Sequence, residues 1–261
     1  MNKRLSKMMI IGLVLLALVF GLFFFMNKGY KFPKEINEKD VDLIQLKAPE
    51  KGQKIATVDT TEGTFKIVLY ENEAPATVAH FEKLVNDGYY DGTYVYRITK
   101  DNAGHGHYFH AGTKTQDGIV LNEKDKDKDG FDQALYDIEH TSLKNETSKN
   151  LWPFKGAIIA TGVDLKGSGT FLTAINSAKF DDKLKKALKK EVEDNKANKD
   201  IVDAFLKEGG QPTLPHTYTI FAQVYEGMDS YEKIFNVDSD KNGAPKEAVK
   251  INKITISTYG E

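Results

Sequence analysis

The sequence predicts a mainly β domain carrying a helical, lysine-rich insertion and preceded by one transmembrane helix. Three observations lead there: β-forming runs separated by glycine-centred turns, a late amphipathic stretch rich in Lys and Glu, and one long apolar run near the start.

The apolar run comes first in the chain. Residues 1–7, a short cytoplasmic tail, hold Lys3, Arg4 and Lys7, and residues 8–26 are apolar without interruption. At 1.5 Å per residue the run spans roughly 28 Å, close to the ~30 Å hydrocarbon core of a bilayer. Phe23-Phe24-Phe25 leads into Asn27-Lys28, where a cleavage site would show small residues, so the run reads as an uncleaved membrane anchor. Lys28, Lys31 and Lys34 balance the cations before the span; the short N-terminal tail stays inside and the body lies outside the cell membrane. Residues 27–53 are polar, carry Pro33 and Pro49, and read as a tether.

Composition narrows the function. The 261 residues are 40% hydrophobic and 28% charged, as in ordinary globular chains. Of a formal charge of −2, the four cations of residues 1–28 meet no acid there, which leaves −6 on the remainder and argues against a nucleic-acid partner. With no cysteine, disulfides, thiolate catalysis and Cys-ligated zinc are excluded.

The domain is expected over residues 54–258. Residues 55–59 and 64–70 are β-rich and joined by Thr-Thr-Glu-Gly, with Gly63 placed for a positive φ, a hairpin signature. Pro75 opens a helix whose Val78, Phe81, Leu84 and Val85 share one side until Gly88 stops it; His80 falls on the solvated face. Asp87-Gly88 and Asp91-Gly92 then bracket Tyr89-Tyr90 and lead into a strand, residues 93–98, that holds one cation, Arg97. From the strand alone Arg97 is either a solvated outward residue or a guanidinium held over an apolar groove.

Further on, His105, His107 and His110 are close enough to raise a metal site, but strand alternation sends His110 to the face opposite the other two, and none is assigned to metal. Asp125, Asp127, Asp129 with Gly130, and Asp238, Asp240, Asn242 with Gly243, resemble the first half of a calcium loop. Each lacks the glutamate expected at the twelfth position, where Tyr136 and Val249 stand, so both read as acidic turns. Residues 156–160, 171–175, 218–225 and 251–258 read as strands, and residues 179–208 as an insertion of two amphipathic helices built on Leu184, Leu188, Val192, Ile201, Val202 and Phe205.

Together T-x-E-G-x-F-x-I-x-L-Y (residues 60–70), E-A-P-x-T-V-x-x-F (73–81), G-Y-Y-D-G-T-x-x-x-R (88–97) and F-A-x-V-x-E-G-M-D (221–229) resemble the cyclophilin family of peptidyl-prolyl cis-trans isomerases over most of residues 55–256. With the anchor, the insertion and E-G-G-x-P-x-L (208–214), the chain is similar to membrane-attached surface cyclophilins of Gram-positive bacteria. The resemblance implies a closed antiparallel barrel of eight strands capped by two helices, chemistry without a cofactor, and proline-containing segments of exported or unfolded polypeptides as partners.

It also implies a site. Arg97 stands at the catalytic arginine, and Tyr96 at the histidine before it. The F-M-x-Q-G-G segment reads His107-Tyr108-Phe109-His110-Ala111-Gly112, which places His107, Tyr108 and His110 at the substrate, His110 in place of glutamine. M-A-N reads Ala160-Thr161-Gly162 and S-Q-F-F reads Gly169-Thr170-Phe171-Leu172, adding Thr161, Gly162, Thr170, Phe171 and Leu172. Leu214 matches the pocket leucine, Thr213 replaces tryptophan, and Tyr218 sits where His or Tyr is usual. Leu172 in place of a pocket phenylalanine predicts a weak or narrowed grip on the proline ring. Two functions stay open: an isomerase assisting folding outside the membrane, or a peptide-binding module with little catalysis.

Overall fold

In the computed structural model, residues 30–100, 107–163, 167–177 and 180–261 are described. The apolar run of residues 8–26 and His105 lie outside them, and among the described residues no helix is long and apolar enough to cross a membrane.

The expected hairpin forms first: β1 (Lys54–Thr60) and β2 (Gly63–Leu69) pair antiparallel from Ile55 opposite Val68 to Thr60 opposite Gly63. Gly63 takes φ +114° at the turn, and a Cβ there would stand 2.6 Å from Ser230 Oγ. β3 (Tyr94–Lys100), β4 (His107–Thr113), β6 (Ala157–Thr161), β8 (Phe171–Asn176), β9 (Thr219–Glu226) and β10 (Val249–Thr258) complete a closed barrel in the order β1-β10-β3-β4-β8-β6-β9-β2. Closure gives each of the eight a neighbouring strand on both sides, although β10 meets β3 at only two positions. β5 (Ser142–Leu143) and β7 (Ser168–Gly169) form a separate short pair.

Two helices close the barrel. α1 (Pro75–Asn86) sends Phe81, Leu84 and Val85 into the main core, and α5 (Met228–Asn236) sends Tyr231, Ile234 and Phe235. Pro75 occupies the first turn of α1, and the Glu146 carboxylate accepts from the Ala76 and Thr77 N–H groups at 3.0 and 2.9 Å, a negative charge at a helix N-terminus. The insertion forms as two helices, α3 (Asp182–Glu193) and α4 (Lys199–Glu208), with Leu184, Leu188, Ile201 and Phe205 buried. α2 (Gln133–Glu139), within residues expected as an acidic turn, is capped by Asp132, whose carboxylate accepts from Leu135 N–H at 2.9 Å.

The expected tether differs from Phe32 onward, where the chain belongs to the same compact unit as the barrel. Ile36 is buried and its carbonyl accepts from Asn198 N–H at 2.7 Å. Gln45, also buried, donates to the Trp152 carbonyl and to Gln223 Oε1, both at 2.9 Å, while its own carbonyl oxygen accepts from Trp152 N–H. A sparsely apolar segment docks here because one side-chain amide satisfies a buried backbone donor and acceptor. Ile44 joins a second apolar cluster on the barrel's outer face, which includes Tyr70, Ile159, Ile175 and Ile220 and reaches Tyr108, Leu214 and Tyr218.

Candidate functional site

The candidate site lies at that far end of the outer cluster. Tyr108 and His110 on β4, Ile159 and Thr161 on β6, and Thr173 and Ile175 on β8 point outward, and Gln211, Leu214 and Tyr218 wall a cavity of about 120 Å³ over them. In each strand the lining residues are two apart, as pleat alternation requires.

Arg97 reaches this face through an irregularity. Val95 pairs with Ala111 and Arg97 with His110, so Tyr96 is an extra residue in β3. Val95 and Ile98 both point into the core, and the two residues between them face outward together. Strict alternation would have placed Arg97 on the side of Val95. Arg97 is exposed and, among the described residues, holds no ion pair. The Tyr96 ring stacks on His110 with centroids 5.7 Å apart and an interplanar angle of 18°, while Tyr108 meets the same imidazole edge-on at 5.1 Å.

His110 is 7% exposed. Its Nδ1 shares a 2.7 Å hydrogen bond with Thr173 Oγ1, and Thr161 Oγ1 lies 3.5 Å from the same hydroxyl and donates to the Phe171 carbonyl at 3.4 Å. Burial, and then the charge of Arg97, lowers the imidazole pKa to about 4, so the ring is neutral near pH 7. Burial pushes the Tyr96 phenol up to about 12 against the opposing pull of Arg97. The site thus presents one cation beside neutral donors and acceptors on an apolar floor, with no arranged nucleophile.

The profile of the cyclophilin type peptidyl-prolyl cis-trans isomerase family matches residues 55–256. This chain is a cyclophilin. Peptidyl-prolyl cis-trans isomerase 9 of Schizosaccharomyces pombe is 28% identical over 203 residues, covering 78% of this chain and 25% of that protein. A Staphylococcus aureus relative named for the same reaction is 24% identical over 212 residues, covering 80% of this chain and 95% of its own. The chain spans 44% of a Streptococcus pyogenes relative whose name joins a phosphatase to a peptidyl-prolyl isomerase, 25% identical over 238 residues. A crystal structure of a cyclophilin type isomerase from Cryptosporidium parvum shares the fold at TM-score 0.51 and 18% identity, covering 79% of this chain and 98% of that one.

Within this cyclophilin the expected site residues divide. Tyr108, His110, Thr161, Leu214 and Tyr218 line the cavity, with Tyr96 and Arg97 beside it. Leu172 does not: it pairs with Ala111 and Ala160 and points into the main core. Phe171, one residue earlier, pairs with Thr161 and shares its face, so the aromatic residue of this strand stands on the groove side. A shift of one residue reverses the face of a side chain in a strand, so Phe171 and Leu172 lie on opposite faces. His107 likewise turns inward, its ring edge-on to Phe235 at 4.8 Å.

Thr170 is buried, donating to the Ile138 carbonyl at 2.6 Å and lying 3.2 Å from His80 Nε2. It holds α2 to the barrel and does not line the cavity. His80 is accordingly half-buried, not solvated, and burial lowers its pKa, with Lys83 acting in the same direction. Gly162, without a side chain to offer, packs on Gly169, where a Cβ would come within 2.9 Å of its Cα. Ile159, Thr173 and Ile175 line the cavity unannounced, although alternation from Thr161 and Phe171 would have found them; Gln211 had no such signal.

Proposed function

We propose that this cyclophilin catalyses cis-trans isomerisation of X-Pro bonds, with Arg97 as the catalytic residue. Rotation about the bond has a barrier near ~20 kcal/mol because the twisting amide loses resonance. A guanidinium supports that twist by donating to the amide nitrogen as it becomes pyramidal, a stronger interaction in the transition state than in the planar ground state. The observation that carries this reading is the β3 bulge, which turns Arg97 outward across from His110 at the rim of an apolar cavity. The cavity takes the proline ring, and neutral His110, its Nδ1 engaged by Thr173, offers Nε2 to the peptide carbonyl.

The substrates are proline-containing segments of exported or unfolded polypeptides, met at the outer face of the cell membrane with residues 8–26 as the anchor; the length of the uninterrupted apolar run supports the anchor. A second reading, a groove that holds peptide with little turnover, draws on the exposure of Arg97, which leaves the guanidinium competing with water. Exchange NMR on Ala-Pro peptides separates the two. Isomerisation at least about 100-fold above Arg97→Ala is expected, the scale of a lost transition-state donor; equal rates with retained peptide binding would establish the holding module.

A further inference from the structure

We propose that the turn over residues 238–245 is a platform that orients Arg97, with Asp240 and Gly243 as positioning residues; this rests on the assignment of Arg97 as the catalytic donor. β10 pairs with β3 only at Val249 opposite Val95 and Lys250 opposite Tyr94, just short of the bulge. Beyond that point the acidic turn takes over the free edge of β3. The N–H of Ile98, the residue after Arg97, donates to the Gly243 carbonyl at 2.7 Å. On the other edge Arg97 and Ile98 pair with His110 and Phe109, so the backbone carrying the guanidinium is gripped from both sides.

The turn is built for that contact. Asp240 Oδ1 accepts from the N–H groups of Asn242 and Ala244 at 2.7 and 2.9 Å, and the Asp240 carbonyl accepts from Gly243 N–H at 3.0 Å. This is the carboxylate that resembled a calcium ligand; it is spent on turning the chain. Gly243 has φ +87°, and a Cβ there would stand 2.5 Å from the Ile98 carbonyl oxygen and 3.3 Å from Arg97 Cγ. Glycine thus lets the backbone lie against the stem of Arg97. A second loop braces the platform from beside Tyr96: Gln116 Nε2 donates to the Pro245 carbonyl at 3.2 Å, and Pro245 is buried. An arginine stem backed by a fixed surface has fewer rotamers to lose when its head group meets substrate.

Asp240 is exposed and is not one of the residues that line the cavity. The test measures kcat and KM for an Ala-Pro peptide in Asp240→Ala, Asp240→Asn and Gly243→Ala, each in the native and the Arg97→Ala background. Order at the Arg97 Nε–H group is followed in parallel by 15N relaxation. Asp240→Ala is expected to lower kcat about tenfold with KM nearly unchanged. Asp240→Asn, which keeps the acceptor oxygen, should recover most of the loss, and both effects should vanish when Arg97 is absent. Gly243→Ala, which retains the carboxylate, should act in the same direction as Asp240→Ala and serves if the latter fails to fold. Equal factors in the two backgrounds, or an Arg97 Nε–H signal as ordered in Asp240→Ala as in the native chain, would overturn the platform. If native activity does not exceed the Arg97→Ala background, the isomerase assignment fails, and the relaxation measurement alone decides whether the turn orders Arg97.

Discussion

His110 Nδ1 and Thr173 Oγ1 lie 2.7 Å apart across the β4–β8 pair, and the bond holds a neutral imidazole in a buried place. Burial, with the Arg97 charge as the second cause, lowers the His110 pKa to about 4 from the usual value near ~6.5. Between those values the unfolded chain takes up a proton that the folded chain refuses, so stability falls as pH drops from 6.5 towards 4 and is unaffected by this group at higher pH. The loss is at most ~3 kcal/mol. Urea unfolding between pH 7 and pH 4.5 should show it in the native chain and lack it in His110→Gln; the same acid dependence in both would remove His110 as the cause.

Leu172 and Thr173 are neighbours in sequence with opposite surroundings. Leu172→Ala opens a cavity in the main core and is expected to cost ~2–5 kcal/mol with little change in peptide affinity. Thr173→Val keeps the volume, leaves His110 Nδ1 without its partner, and should cost ~1–3 kcal/mol while altering peptide binding. Thermal unfolding paired with peptide titration distinguishes them, and a reversed pattern would restore the alignment that placed Leu172 in the groove.

Gly118 takes φ +74°, and a Cβ there would stand 2.4 Å from Tyr96 Cδ2. Gly118→Ala should therefore displace the Tyr96 ring from its stack on His110 and destabilise the fold by ~1–3 kcal/mol. The aromatic proton shifts of Tyr96 report the displacement directly; unchanged shifts at unchanged stability would show that the loop yields instead.

Gln45→Ala removes the side-chain amide that satisfies the Trp152 N–H and carbonyl beneath the docked N-terminal segment. The expected cost is ~2–4 kcal/mol, since buried backbone groups lose their partners. Chemical denaturation of the variant measures it, and a cost under ~0.5 kcal/mol would mean that the segment of residues 32–53 contributes little to the fold.

Period-two runs and the Gly63 turn made the β1–β2 hairpin legible from the sequence, Pro75 and a 3.6-residue stripe made α1 legible, and Leu184, Leu188, Ile201 and Phe205 made the insertion helices legible. These are local patterns, set by backbone preferences and by which side chains share a face over a few residues. Arg97 was picked out by its chemistry within an apolar strand, but the sequence left its direction open. Only the tertiary structure decided that, because the Tyr96 bulge is defined by pairing with β4, a strand recruited from further along the chain. The same holds for Phe171 facing the groove while Leu172 faces the core: a strand's alternation is visible in sequence, but which alternate set meets the interior depends on register with β4 and β6. The docking of residues 32–53 was hidden for a related reason, since the hydrogen-bond partners of Gln45 and of the Ile36 carbonyl lie more than 100 residues away.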